Sequence, residues 1–157
     1  MTDHWAEVRR IRRSGMTLLE IMIIVMIIGT LVALSIPFYK TYLNHSRIVR
    51  ATADIRAIEN ELTLHSLSEG DVPDSLNVLR RIPTDPWKRE YVYLKYSTEL
   101  TTVKFRKERF YVPLNLEYDL YSLGADGLSE PPLSAPVSRD DIIRANDGEY
   151  VGIATGF

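Results

Sequence analysis

The sequence contains no cysteine. Disulfide stabilisation is therefore excluded, and so are thiol catalysis and cysteine-based zinc sites. Histidine is scarce: His4, His45 and His65 are scattered, with no spacing that pairs them as ligands. No G-x-S-x-G, P-loop or H-E-x-x-H motif occurs, so the chain shows no recognisable nucleophile, phosphate cradle or zinc-hydrolase signature. Positive charge is also thin outside the first residues. Of 19 Lys and Arg, four lie among the first 15 residues, opposed there by Asp3 and Glu7 alone. The remainder holds 15 basic and 19 acidic residues, a net of −4 against −2 for the whole chain. A mildly acidic body without a basic stripe excludes nucleic acid as the natural partner. Internal repeats and long low-complexity segments are absent as well.

What the sequence does have is one long apolar run, Met16 to Ile36, interrupted by a single carboxylate, Glu20. Its 21 residues suffice to span a bilayer as a helix. A carboxylate inside such a helix costs roughly 2.5–3.5 kcal/mol on insertion scales, so something must compensate it. No basic side chain lies within one helical turn of Glu20. Gly15 precedes the run and follows Arg9, Arg10, Arg12 and Arg13. A cut after Gly15 would leave Met16 with a free ammonium four residues from Glu20, available to a neighbouring copy. The basic cluster places the N-terminus in the cytoplasm and the remainder on the far side. Two plainer readings are an ordinary signal peptide cut near Ala33-Leu-Ser35 and an uncleaved anchor, but neither accounts for Glu20.

The rest of the 157 residues is enough for one modest core, giving one domain plus an anchor. We read three parts: a basic leader over residues 1–15, a membrane-spanning or filament-core helix over 16–36, and a globular domain over 37–157. The helix is predicted to run from Met16 to about Leu67, loosened at Pro37. In its second half Ile48, Ala51, Ile55, Ile58 and Leu62 recur at spacings of 3, 4, 3 and 4, which makes one apolar stripe for packing on a sheet. Ser68 to Pro73 breaks the helix, and a short helix is expected over Ser75–Arg81. Pro83-Thr-Asp-Pro86 reads as a rigid turn beside Trp87. Strand signals follow at Tyr91–Tyr96, Thr102–Phe105, Phe110–Val112 and Tyr118–Ser122, with Arg106–Arg109 as a solvated hairpin tip. From Gly124 to Phe157 the chain reads as loop. Helix and strands are segregated, so the fold class is α+β: a long helix on a small antiparallel sheet with a long C-terminal loop.

That loop carries its own chemistry. Asp126, Asp140 and Asp141 are hard oxygen donors of the kind Ca²⁺ takes, and Gly124 and Gly127 permit tight turns. The spacing is not that of an EF-hand. The residues alone leave two readings open: a calcium site, or a solvated Asp-Gly turn followed by an Asp-Asp element start at Ile142.

Gly15-Met-Thr-Leu-Leu-Glu20 followed by an apolar helix resembles the processing site and N-terminal helix of type IV pilin-like proteins. Ile82-Pro-Thr-Asp-Pro-Trp87, Tyr118 through Gly127 and Asp140-Asp-Ile142 are similar to the major pseudopilins of type II secretion. The likeness runs from about Ser14 to Ile142, with apparent insertions around residues 97–115 and over Pro131–Ser138. It implies cleavage between Gly15 and Met16 by a prepilin peptidase, with N-methylation of Met16, and an assembly role for Glu20. It further implies structural Ca²⁺ held by Asp126, Asp140, Asp141 and the carbonyl of Leu123. The expected protein is a non-enzymatic subunit, single-pass in the inner membrane with its C-terminal domain in the periplasm. It would polymerise with copies of itself, served by an assembly platform and minor pseudopilins, into a filament that drives export of folded proteins. The alternatives are a type IV pilus subunit and a membrane-anchored periplasmic enzyme or binding domain.

Overall fold

The computed structural model describes residues 15–96, 105–108 and 112–157. Two units are distinguished, Met1–Thr41 and Tyr42–Phe157. Helix α1 spans Leu18–Glu69 without interruption at Pro37. It starts two residues later than expected because Thr17 caps it: the Thr17 hydroxyl accepts a 3.2 Å bond from the Glu20 amide, satisfying one of the donors a helix start leaves free. At the other end Gly70 takes a left-handed φ of 84° and donates to the Ser66 carbonyl at 2.8 Å, the αL closure that glycine provides without a Cβ penalty.

In the second unit, four strands form an antiparallel sheet in sequence order: β1 Val92–Lys95, β2 Tyr118–Ser122, β3 Ile142–Ala145 and β4 Tyr150–Ile153. Registered pairs include Tyr93 with Leu120, Tyr121 with Ile143, and Ile142 with Ile153. The residues of α1 buried against it are Ala51, Ile55, Ile58 and Leu62, four of the five in the stripe; Ile48 packs at its edge. They meet Tyr91, Tyr118, Leu120 and Ile142 in one core. Burial of each large aliphatic side chain stabilises the fold by about 1.5–3 kcal/mol. Strand alternation sends Ile143 and Ala145 to the opposite face, where they pack with Leu114, Leu133 and Ala154 in a second cluster. The sheet is thus covered by the helix on one side and by loops on the other.

The α+β class and the helix-on-sheet arrangement are as expected. Several local expectations need correction. The segment from Gly124 to Phe157 is not a loop throughout, since it contains β3 and β4 and contributes Leu133, Ile142, Ile143, Ala145 and Ala154 to the core. Two four-residue strands set among Pro and Gly give little periodicity to read. The helix over Ser75–Arg81 shrinks to a 3₁₀ turn, Leu76–Val78. Arg106 does not lie at a solvated tip: only 3% of it is exposed. Phe105 and Val112 lie outside the named strands; residues 102–104 and 109–111, like most of the basic leader, lie outside the described residues.

Candidate functional site

Every residue from Gly15 to Arg47 is exposed. The apolar side chains between Met16 and Leu43 therefore have no cover among the described residues, with Leu18 at 81% and Phe38 at 77% exposure. This is the one helix among the described residues long and apolar enough to cross a membrane. Thr30, Ser35 and Thr41 do not break its apolar character, because each hydroxyl donates to a carbonyl four residues back, on Met26, Leu31 and Pro37. Glu20 stands on the first turn, at the third position after its cap. There the helix dipole favours a negative charge, and among the described residues no basic side chain forms an ion pair with it. Gly15 and Met16 precede the helix as exposed, non-helical residues.

The C-terminal loop is built differently. Asp140 Oδ2 accepts from the amides of Ala125 and Asp126, at 2.6 and 3.0 Å. Gly124, at φ 64°, lies so close to the Asp140 backbone that a Cβ would collide with its carbonyl. Asp126 Oδ1 accepts from the Leu128 amide at 2.8 Å, and the Leu123 carbonyl accepts from the Gly127 amide at 3.1 Å. These bonds bring Leu123, Asp126 and Asp140 into one turn. Asp141 is fully buried and engaged elsewhere: its Oδ2 receives Arg106 Nη2 at 2.7 Å and the Ser129 hydroxyl at 2.6 Å. Burial pushes the Asp141 carboxyl above the usual carboxylate range, opposed by Ser129 and Arg106.

The four residues expected to hold calcium fit a cation poorly in this arrangement. Asp141 Oδ1 is a buried oxygen without a partner among the described residues, which is the one feature in favour. Against it, no three His, Cys, Asp or Glu side chains among the described residues converge as a metal-holding group. A divalent ion at Asp141 would also stand beside the buried Arg106 guanidinium, and like charges repel strongly where water is excluded.

Two further residues hold this region. Asp85, in the Pro83–Pro86 turn, is buried; its Oδ1 accepts from the Trp87 and Arg89 amides at 3.0 and 2.7 Å, and its Oδ2 from the Ser122 hydroxyl at 2.7 Å. Arg89 donates to the Gly124 carbonyl and lies against Gly127. The Pro-x-Asp-Pro-Trp stretch marked a turn, but nothing in it told that Asp85 would pin the end of β2. On the helix face, Glu59 bridges Arg56 at 3.0 Å and Arg144 at 2.8 Å, and the Arg144 guanidinium stacks 4.3 Å from the Tyr118 ring centroid. These groups are tied up in structural bonds.

The comparisons with known proteins point the same way as the motifs. The family model described as type II secretion system (T2SS), protein G, matches residues 39–134. A type II secretion system core protein G of Dickeya chrysanthemi is 31% identical over 145 residues, covering 87% of this chain and 89% of its own length. One from Pseudomonas aeruginosa is 29% identical over 141 residues, covering 76% and 88%. A fimbrial protein of Pseudomonas aeruginosa is 40% identical, but over 47 residues and 30% of each chain. A model matched over more than half of the sequence, and a relative covered nearly end to end, place this chain in the type II secretion system protein G family.

Proposed function

We propose that the chain is the major subunit of a type II secretion pseudopilus: a structural, non-enzymatic protein that polymerises through its N-terminal helix. The observation that carries this reading is the exposure of every residue from Gly15 to Arg47 on a helix that is apolar up to about Leu43. A surface of that kind has to be covered by lipid or by other protein. Lipid suits the waiting subunit, and the same surface then packs against copies of itself. A head-to-tail contact that does not close on itself generates a helical filament.

In this reading a prepilin peptidase cuts between Gly15 and Met16, and the new ammonium of Met16 is N-methylated. Glu20 then meets the Met16 ammonium of a neighbouring subunit. The inner membrane holds the subunit before assembly, with residues 37–157 in the periplasm, and an assembly platform and minor pseudopilins act on it. Folded proteins are the cargo. The breadth of the likeness to core protein G relatives favours secretion over a pilus, since the fimbrial likeness covers only 30% of the chain.

Mass spectrometry of the mature N-terminus tests the processing step. The expected mature chain begins at an N-methylated Met16, and Gly15→Glu leaves the precursor uncut. An N-terminus near Ile36 would mean an ordinary signal peptide and overturn the reading.

A further inference from the structure

We propose that the guanidinium of Arg106 takes the place of a divalent cation in this fold, locking the loop after β2 to the head of β3 without calcium. Arg106 is 3% exposed, and its contacts reach each part that such a clamp must join. Nη2 meets Asp141, which precedes β3, at 2.7 Å. Nη1 donates to the Ser129 hydroxyl and, at 2.9 Å, to the Glu130 carbonyl, both in the loop after β2. The guanidinium plane stacks 4.4 Å from the ring centroid of Tyr121 in β2. Its own amide donates to Asp119 Oδ2 at 2.8 Å, also in β2. A planar fork that donates to several oxygens while stacking on an aromatic ring is arginine chemistry that lysine does not reproduce.

Residues 105–108 and 129–138 build this site together. Lys107 forms a parallel bridge with Pro132, the Lys107 amide donating to the Pro131 carbonyl at 3.0 Å and the Leu133 amide to the Lys107 carbonyl at 2.9 Å. The segment between Glu130 and Ser138 is pinched at its base: the Ser138 hydroxyl accepts from the Glu130 amide and donates to the Glu130 carbonyl, each at 2.8 Å. Residues 105–108 thus deliver the cation, and Ser129 and Glu130 receive it ahead of the segment that returns the chain to Asp141. A bound ion stabilises by mass action, so its effect rises with free ion concentration. A covalently attached guanidinium has no such dependence.

The test is thermal unfolding of the full-length chain in detergent micelles, unassembled, so that it stands apart from the filament reading. With millimolar calcium or with excess chelator, wild type is expected to melt at the same temperature. Arg106→Ala in chelator is expected to melt lower by on the order of 10 °C or more, because it strands a buried carboxylate. Arg106→Lys keeps the charge but loses the fork, and is expected to fall between the two. A saturable rise of the wild-type midpoint with calcium would overturn the proposal, as would Arg106→Ala melting like wild type. If Arg106→Ala does not fold, the wild-type comparison and Arg106→Lys decide: Arg106→Lys melting as wild type counts against the guanidinium.

Discussion

Glu20 lies on the first turn of a helix whose apolar side chains are all exposed, while Asp141 lies at the head of β3 with no exposed surface. Asp141 is buried against Arg106 and Ser129, whereas Glu20 stands among exposed apolar side chains. Asp141 has a cation from its own chain, 35 residues earlier, and is sealed with it. Glu20 has none among the described residues. A carboxylate served within the chain reports on folding; under the proposed function, one left unserved reports on assembly. The Tyr42–Phe157 unit buries its core within one copy, whereas the apolar half of the helix is exposed from Gly15 to Arg47.

The sharpest way to break this contrast is Glu20→Leu. Insertion into membrane is expected to proceed and unfolding of the Tyr42–Phe157 unit to be unchanged, while filament yield by sedimentation and electron microscopy falls to background. Normal filament yield would remove Glu20 from assembly. Next in size is Asp141→Leu. It leaves the Arg106 guanidinium buried without its carboxylate, which typically costs about 3–5 kcal/mol; denaturant unfolding of the full chain in micelles reads that loss, and a loss under about 1 kcal/mol would show that the pair is not buried in solution.

The smallest effect separates charge from shape at the same position. Burial raises the folded-state pKa of Asp141 above its unfolded value. The folded chain therefore binds the proton more tightly, and this contribution to stability is fully present below the unfolded pKa and is lost as pH rises through the folded one. Asp141→Asn cannot titrate. Its deficit relative to wild type is expected to be smallest at neutral pH and to widen toward acid, followed by unfolding free energies across that range. A deficit that narrows toward acid would mean that the Arg106 contact, not burial, dominates the carboxyl.

What could be read from the sequence follows the reach of each signal. Ala51, Ile55, Ile58 and Leu62 were legible because a helix repeats its face every 3.6 residues, so neighbours in sequence carry the whole pattern. Glu20 was legible because one charge in an apolar run is conspicuous without any partner. Arg106 was not. Within Arg106-Lys-Glu-Arg109 it looks like one more surface charge, and its burial is decided by Asp141, Ser129 and Tyr121, which the local sequence does not show. Ile142–Ala145 and Tyr150–Ile153 escaped for a related reason. Four residues between turns carry too few alternations to register, and their partners are β2, each other and a helix far upstream. The Asp140 and Asp126 carboxylates were recognised as ligands by type, yet here they cap backbone amides of their own turn, a use equally natural for Asp.

The helix face and the strand that completes its core are separated by a long stretch of chain: Glu59 meets Arg144 across 85 positions, and Arg56 meets Gly148 across 92. Contacts of such separation form slowly, because the loop between them must be closed before any of them contributes. A chain stopped short of Ile142 would lack the Ile142, Val151 and Ile153 side chains that pack in the same core as Ile55 and Ile58. Only a chain made through β4 brings Ile142, Val151 and Ile153 to the helix stripe, so the last strands to be made are the ones that finish the cover of a helix made first.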